Sequence, residues 1–216
     1  MVQTIGIHCR TGSGVLSGCR LAMSAFDPLR AYLESKAPFT PKELDFLEGL
    51  FVPTMLRAGE FLQRAGEPVR YAAFVAKGCL RSYLIDAKGE ELILEFAPEN
   101  WWLGDRTFLT GGTTCDCFID AVSRSDLLLF DQHSHQTMVE CVPTFATMFR
   151  VAFQKYAAAK DRRIINALNM STKERYLDFL KTYPAIAHQV PQRMLASYLG
   201  VSPETLSRVR NQLSRK

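Results

Sequence analysis

Residues 190–216 read VPQRMLASYLGVSPETLSRVRNQLSRK and contain two short helical patterns joined by a turn. In residues 192–199 the apolar side chains lie three and four positions apart, which is typical of a helix with one buried face. Gly200 begins the predicted turn, and Ser202 is suited to cap a second helix that has Pro203 in its first turn. Two short helices around a glycine-containing turn predict a helix-turn-helix.

The second helix carries polar side chains that can contact DNA bases. Its inward stripe is Leu206, Val209 and Leu213. The polar positions turned away from this stripe, with the cap, are Ser202, Glu204, Thr205, Ser207, Arg208 and Asn211. A glutamate can accept a hydrogen bond from cytosine and an arginine can bind guanine through two hydrogen bonds, each pair giving about 1–3 kcal/mol of discrimination.

The distribution of charged residues indicates that the same end of the chain contacts a polyanion. Residues 171–216 contain eight Lys or Arg and three acidic residues. The rest of the chain contains 18 Lys or Arg and 19 acidic residues, so the positive excess lies at the C-terminal end. Arg210, Arg215 and Lys216 suit phosphate contacts, which set register and salt dependence. The alternatives are a solvated basic tail and a plain ion pair between Glu204 and Arg208, four residues apart on an exposed helix.

From Phe51 to about Asp131 the sequence divides into short β-prone segments separated by glycine and proline. The candidate strands are 60–63, 71–77, 79–85, 91–96, 115–122 and 125–130. Short strands at this spacing predict a small antiparallel barrel or sandwich. A tight hairpin turn is predicted at 86–89. No helix-length segment lies between the strands, which excludes a parallel βαβ sheet.

Helical patterns flank the β region. Residues 26–50 predict short helices, the second capped by Thr40 with Pro41 in its first turn. Residues 143–168 contain no glycine and no proline after Pro143, and their apolar residues recur at helical spacing. A helix of about 25 residues reaches nearly 40 Å. We therefore expect a partner helix; the alternative is a helix that packs only on its own barrel.

A further helix is predicted to start after Ser171. Ser171 and Glu174 have the spacing of a capping box, and the apolar pattern continues to Tyr183, where Pro184 ends it.

The C-terminal motif resembles the DNA-binding end of the Crp and Fnr family of bacterial transcription regulators. That family commonly shows Ser, any residue, Glu, Thr or Ser, any residue, Ser or Gly, then Arg. In this sequence the motif is filled by Ser202, Glu204, Thr205, Ser207 and Arg208.

The upstream half carries a second resemblance. The stretch RAGEFLQRAGEPVRYAAFVAKGCLRSYL, residues 57–84, is similar to the first strands of a cyclic-nucleotide-binding barrel, with Gly59, Gly66 and Gly78 at its turns. The two resemblances together cover about residues 26–216.

The resemblance implies an α+β fold with an N-terminal antiparallel β-barrel of the jelly-roll type, a long dimerisation helix and a C-terminal helix-turn-helix. It also implies a homodimer that reads near-palindromic DNA under control of a small-molecule effector in the barrel. RNA polymerase is a further candidate partner, and the expected location is the cytoplasm.

We expect four regions. Residues 1–25 form a disordered extension in which Met23 is an alternative start, 26–142 a sensory domain, 143–168 the dimerisation helix and 169–216 the helix-turn-helix domain. Members of the family usually continue into a β-wing that touches the DNA backbone, whereas this sequence stops at Lys216. We expect fewer phosphate contacts for this reason.

The predicted ligand site departs from that of cyclic-AMP-binding relatives, in which a Gly-Glu turn and an Arg-Ser pair hold the phosphate. Gly104 and Asp105 match the turn, but Cys115 and Asp116 occupy the positions of the pair. A carboxylate in place of a guanidinium repels a phosphate. We therefore expect no tight binding of cyclic AMP and an unknown effector or none.

Two arginines and two tryptophans bear on this site. Arg106 or Arg124 is an alternative source of the missing guanidinium. One ring of Trp101 and Trp102 is expected inside the barrel, and Trp101 is a candidate to stack on a ligand.

No metal site is predicted. His133 and His135 are spaced to share a strand face but have no partner at ligand spacing, so a surface turn is expected there. Cys115 and Cys117 also share a strand face. With Cys9 and Cys19 they suggest an iron–sulfur or thiol sensor, but the spacing lacks a tight cluster, and buried apolar cysteines are expected instead.

Composition and motifs also limit the class of protein. The chain has 216 residues, of which 47% are hydrophobic and 22% charged, and no apolar run is long enough to span a bilayer. It has no P-loop, nucleophile elbow or dinucleotide fingerprint. We therefore expect a regulator and not an enzyme; the alternative is a dimeric ligand-binding or protein-interaction module that has lost DNA binding.

Overall fold

Two antiparallel four-stranded sheets form the centre of the computed structural model, which describes residues 25–105, 108, 113–187 and 189–214. The strands are β1 Val52–Leu56, β2 Phe61–Gln63, β3 Ala72–Lys77, β4 Cys79–Ile85, β5 Glu91–Pro98, β6 Trp102–Leu103, β7 Phe118–Ala121 and β8 Ser125–Phe130. The first sheet has the order β1-β8-β3-β6 and the second β2-β7-β4-β5. The predicted α+β fold with an antiparallel jelly roll is confirmed.

Side chains of β3 and β8 alternate between two hydrophobic cores. Ala73 and Leu127 face the core between the sheets, whereas Phe74 and Phe130 face the core under the helices. Successive residues of a strand point to opposite faces of its sheet. Both strands are therefore buried on both faces, and they read as continuous apolar segments.

Helices cover the outer faces of both sheets. Their bounds are α1 Asp27–Lys36, α2 Pro41–Glu48, α3 Gln132–Cys141, α4 Pro143–Asn169, α5 Thr172–Thr182, α6 Gln192–Leu199 and α7 Pro203–Ser214. The first four pack on the first sheet and contribute the buried side chains Leu29, Leu33, Leu44, Leu47, Met138 and Phe145. The last three form a second cluster that reaches Ile93 and Phe96 of β5.

Local capping explains why several helices begin where the sequence predicts. Thr40 and Glu43 form a complete capping box at α2, and Ser171 and Glu174 form another at α5. At the end of α6, Gly200 has φ 66°, a left-handed conformation that favours glycine.

The prediction of a surface turn around His133 and His135 is wrong, because both residues lie in α3. Asp131 caps this helix by accepting a hydrogen bond from the Ser134 amide at 2.7 Å. Residues two apart on a helix do not share a face. His133 is exposed, whereas His135 packs against Phe149, and burial lowers the pKa of its imidazole.

Two strands were not predicted, and one is shorter than expected. β1 contains Pro53 and forms an edge of its sheet, so it lacks the pattern of an interior strand. β6 has two residues, too few for a periodic signal. The segment predicted as 115–122 is a strand only over Phe118–Ala121.

Some expectations lie outside the described residues. They concern the disordered extension over 1–24, Met23, Cys9, Cys19, Arg106, Arg215 and Lys216. Among the helices of the described segments, none is long and apolar enough to cross a membrane.

Candidate functional site

The predicted helix-turn-helix corresponds to α6 and α7, two helices joined by a short turn at residues 200–202. The Ser202 hydroxyl accepts a hydrogen bond from the Thr205 amide at 3.2 Å, which caps α7. Gln192 at the start of α6 donates to the Pro203 carbonyl oxygen at 3.1 Å. These two contacts, with buried Leu206 and Val209, fix the start of α7 against α6.

The polar face of α7 is open to solvent. Glu204, Arg208 and Asn211 are exposed at helical spacings of four and three residues, so they share one face. Thr205 and Ser207 are half-buried beside them. The structure therefore brings the predicted base-contacting residues together on one accessible surface.

Two details bear on the chemistry of this face. Glu204 and Arg208 do not form an ion pair within 4.0 Å, so neither side chain is occupied by the other. Hydrogen bonds from its own backbone amide and from Ser202 lower the pKa of Glu204. Glu204 is thus an ionised acceptor at neutral pH. Arg210 is exposed on a different side of the helix, as suits a phosphate contact.

The α6 helix is hydrogen-bonded directly to the edge of the second sheet. The Ser197 hydroxyl donates to the Glu91 carbonyl oxygen at 2.5 Å and accepts from the Ile93 amide at 3.0 Å. The orientation of the helix-turn-helix is therefore tied to β5.

A cavity of about 700 Å³ lies between the jelly roll, α1 and α4. Its lining is mainly aromatic and aliphatic, with Trp102 and Phe108 on one side and Phe149 and Tyr156 of α4 on the other. A cavity of this size can enclose a small organic molecule. The cavity is therefore the candidate effector site.

The structure places some of the predicted ligand residues at this cavity and others beside it. Trp101, Gly104 and Asp105 line the cavity, whereas Cys115 and Asp116 do not. Gly104 approaches β3 so closely that an added Cβ would lie 2.9 Å from the Cβ of Ala72. A side chain at position 104 would therefore displace the strand.

The Asp105 carboxylate turns toward the segment before β7. It accepts hydrogen bonds from the Cys115 thiol at 3.0 Å, the Cys117 thiol at 3.3 Å and the Asp116 amide at 3.2 Å. The cysteines are buried as expected, but their thiols contact a carboxylate and not a purely apolar environment. Cys117 was not predicted as a member of this site, although Cys115 and Asp116 were; its spacing of two residues from Cys115 is the signal that could have found it.

Basic groups near the cavity differ from those predicted. Arg124 is exposed in the turn between β7 and β8 and does not line the cavity. Among the described residues the basic lining groups are Lys36 and Lys155, and neither belongs to the predicted set. Lys155 carries no sequence signal of this role, because in sequence it resembles the other basic residues of the long helix.

The two tryptophans have different surroundings. Trp102 lies in an aromatic cluster under the helices, with its ring 5.0 Å from that of Phe74. Trp101 contacts the core between the sheets and also Tyr183, at 5.5 Å between ring centroids. Trp101 is thus a contact between the jelly roll and the C-terminal helices.

Comparison with known proteins supports this architecture. A profile of the cyclic nucleotide-binding domain family matches residues 53–140. A search of curated protein sequences gives no significant match.

Solved structures with the same arrangement are numerous. FixK2 from Bradyrhizobium japonicum is 20% identical, with a TM-score of 0.68 over 76% of this chain and 85% of that chain. The c-di-GMP responsive global regulator CLP of Xanthomonas campestris is 15% identical, with a TM-score of 0.64 over 82% and 92%. The catabolite activator protein of Thermus thermophilus is 20% identical, with a TM-score of 0.52 over 82% and 84%. Residues 53–140 therefore match the cyclic nucleotide-binding domain family, and the fold of the chain is similar to the folds of these solved regulator structures.

Proposed function

We propose that this protein is a transcription regulator of the Crp/Fnr type that binds a near-palindromic DNA site as a homodimer. The observation that carries the proposal is the exposed polar face of α7 in a helix-turn-helix whose apolar face is buried. Glu204, Arg208 and Asn211 present an acceptor, a guanidinium and an amide to solvent, which are the groups that distinguish base pairs in the major groove.

The surface of α4 supports the dimer. Of its 27 residues, only Phe145 and Met148 are buried among the described side chains. Phe153, Ile164 and Leu168 are exposed by 47%, 63% and 80%. Full burial of each such side chain would contribute about 1.5–3 kcal/mol. Their spacing along one helix fits pairing with the same helix of a second copy.

Symmetry then relates the dimer to the form of the DNA site. A two-fold axis along α4 would present two copies of α7, and dimeric helix-turn-helix proteins bind half-sites about 34 Å apart. The expected operator is therefore an inverted repeat with half-sites centred about one helical turn apart.

The cavity beside α4 is the proposed effector site. Its aromatic lining and its two lysines, Lys36 and Lys155, suit an organic molecule with a negative charge. An effector that contacts both β6 and α4 would change the position of α4 relative to the jelly roll. This shift would change the distance and orientation between the two copies of α7 in the dimer.

Selection of bound DNA from a random oligonucleotide pool tests the DNA-binding part of this proposal. The full chain should enrich a near-palindromic motif, and Arg208→Ala should relax selection at one base position in each half-site, equivalent to about 1–3 kcal/mol. Arg57→Ala is the matched control. Arg57 is an exposed arginine directly after β1, and its replacement by alanine removes the same charge from a surface far from α7 in sequence.

Two results would contradict the proposal. If Arg57→Ala changed selection as much as Arg208→Ala, net charge and not α7 would determine binding. Salt-dependent retention of DNA with no enriched motif would instead favour the alternative of a chain that has lost specific binding.

A further inference from the structure

Three metal-ligating groups meet in the wall of the jelly roll. Asp105 lies two residues after the end of β6. Cys115 and Cys117 lie in the segment directly before β7. Their side-chain ligand atoms all lie within 4.8 Å of one another. The three residues are only 5%, 3% and 7% exposed. The cluster is therefore local in space, although Asp105 lies ten and twelve residues from the two cysteines in sequence.

The backbone holds this cluster in place. The Cys115 amide donates to the Glu67 carbonyl oxygen at 2.9 Å, and the Cys115 carbonyl accepts from the Gly66 amide at 2.8 Å. The Asp116 amide donates to the Asp105 carboxylate at 3.2 Å. The backbone of Cys115 and the carboxylate of Asp105 are thus held by three hydrogen bonds to or from backbone amides, none of which uses a thiol proton.

We propose that Asp105, Cys115 and Cys117 bind one thiophilic divalent metal ion, of which Zn²⁺ is the best match. Zn²⁺ takes cysteine sulfur and aspartate oxygen as ligands, in tetrahedral geometry. The site supplies two sulfurs and one oxygen, and leaves the fourth position to water or another ligand.

The distances fit this geometry. With Zn–S at about 2.3 Å and Zn–O at about 2.0 Å, a sulfur and an oxygen on one tetrahedral ion lie about 3.5 Å apart. The Asp105 oxygen lies 3.0 Å from the Cys115 sulfur and 3.3 Å from the Cys117 sulfur. An outward shift of a few tenths of an ångström would admit the ion.

The same surroundings argue against a peroxide-sensing or alkylation-sensing role for these cysteines. Burial, together with the nearby Asp105 carboxylate, raises the pKa of Cys115 to about 12, and burial raises the pKa of Cys117 as well. Protonated buried thiols are poor nucleophiles at neutral pH. A divalent cation reverses this preference, because a coordinating thiol loses its proton to the metal.

The position of the cluster gives a bound ion a route to influence the rest of the molecule. Asp105 also lines the cavity between the jelly roll and α4. An ion on Asp105 would therefore change the charge of that cavity wall. The metal site does not depend on DNA binding, so it can be tested separately from the proposed function.

Titration of the reduced, metal-free, untagged full chain with Co²⁺ and then Zn²⁺ tests the proposal. Co²⁺ should give thiolate-to-metal charge-transfer absorption that saturates at one ion per chain, and Zn²⁺ should displace it. Since loss of an outer partner of a metal ligand already costs about 10- to 100-fold in affinity, Cys117→Ser and Asp105→Asn should each weaken binding by about 100-fold or more.

Three variants serve as controls. Cys79→Ser removes a buried thiol outside the cluster, and Cys141→Ser removes an exposed one. The Cys9→Ser, Cys19→Ser double variant removes the two thiols near the N-terminus. All three should bind the metal as the unchanged chain does. Loss of binding in any of them, or full binding by the Cys115→Ser, Cys117→Ser double variant, would overturn the assignment.

A second measurement on the unchanged chain covers the case in which a cluster variant fails to fold. Alkylation by iodoacetamide in mild denaturant, followed by peptide mass spectrometry, should show that Zn²⁺ protects Cys115 and Cys117 but not Cys141. Equal labelling of Cys115 and Cys117 with and without Zn²⁺ would reject the site.

Discussion

The guanidinium of Arg163, near the end of α4, lies over the ring of Tyr198 in α6, 4.0 Å from the ring centroid, and donates to the Tyr198 carbonyl oxygen at 2.9 Å. The same guanidinium donates to the Ile93 carbonyl oxygen at 2.9 Å and to the Leu94 carbonyl oxygen. One side chain therefore connects the long helix, the second sheet and the helix-turn-helix.

Replacement of Arg163 by lysine should loosen this connection. A lysine ammonium keeps the charge but lacks the planar fork that reaches three carbonyl groups. Leaving half-buried acceptors unpaired should reduce stability by about 1–3 kcal/mol. Hydrogen exchange should become faster in β5 and α6. Arg162→Lys, at an exposed neighbouring position, is the control, and equal exchange in both variants would show that Arg163 has no coupling role.

The pH dependence of stability should report on Glu95. Burial raises the pKa of Glu95 above its ordinary 4.5, although Lys160, the Tyr156 hydroxyl and the Ser82 hydroxyl oppose the shift. The folded state therefore binds this proton more tightly than the unfolded state. The stabilisation is complete below the unfolded pKa and is lost as the pH rises through the higher folded pKa.

Glu95→Gln should remove this contribution. Denaturant unfolding measured from pH 4 upward should show a smaller fall in stability with rising pH for the variant than for the unchanged chain. Glu34→Gln changes an exposed glutamate and should leave the profile as it is. A profile for Glu95→Gln that matched the unchanged chain would mean that Glu95 does not titrate as inferred.

The exposed end of α4 should determine the oligomeric state. Leu168→Asp places a charge at a position that is 80% exposed in the single chain, so the fold should tolerate it, whereas a paired helix should not. Sedimentation should show a monomer. Leu177→Asp places the same charge on α5, at a leucine that is 44% exposed, and should remain dimeric. A dimer that survives Leu168→Asp would place the interface elsewhere.

Cyclic AMP should not bind tightly. The Asp105 carboxylate contacts two thiols and an amide, and no arginine lines the cavity among the residues that the structure describes. Calorimetric titration should therefore give no saturable heat at micromolar concentrations. Micromolar affinity would show that a guanidinium reaches the phosphate from elsewhere in the chain.

Local signals account for the parts of the fold that the sequence predicts well. Gly200, Ser202 and Pro203 determine a turn and a helix start within a few residues, and both helices of the helix-turn-helix have the predicted bounds at that turn. The β4–β5 hairpin is equally local, because the Asp86 side chain accepts from the Lys88 and Glu90 amides.

Contacts between distant segments could not be predicted in this way. The β1 strand is defined by its pairing with β8, and its own sequence contains an exposed proline. Asp105 meets Cys117 only because the jelly roll folds the chain back on itself. Arg163 resembles any basic residue of an amphipathic helix, and nothing in its neighbours indicates that it reaches three carbonyl groups of β5 and α6.

The uninterrupted length of α4 has a mechanical consequence. Side chains of α4 from Thr144 to Ala159 line the cavity, and Arg163, one turn further along the same helix, holds β5 and α6. Thr144 and Arg163 lie about 28 Å apart along the helix axis, so a tilt of about 5° about Thr144 moves Arg163 by about 2.5 Å. A small rotation at the cavity would thus act as a lever on α6, and under the proposed function it would also displace the polar face of α7.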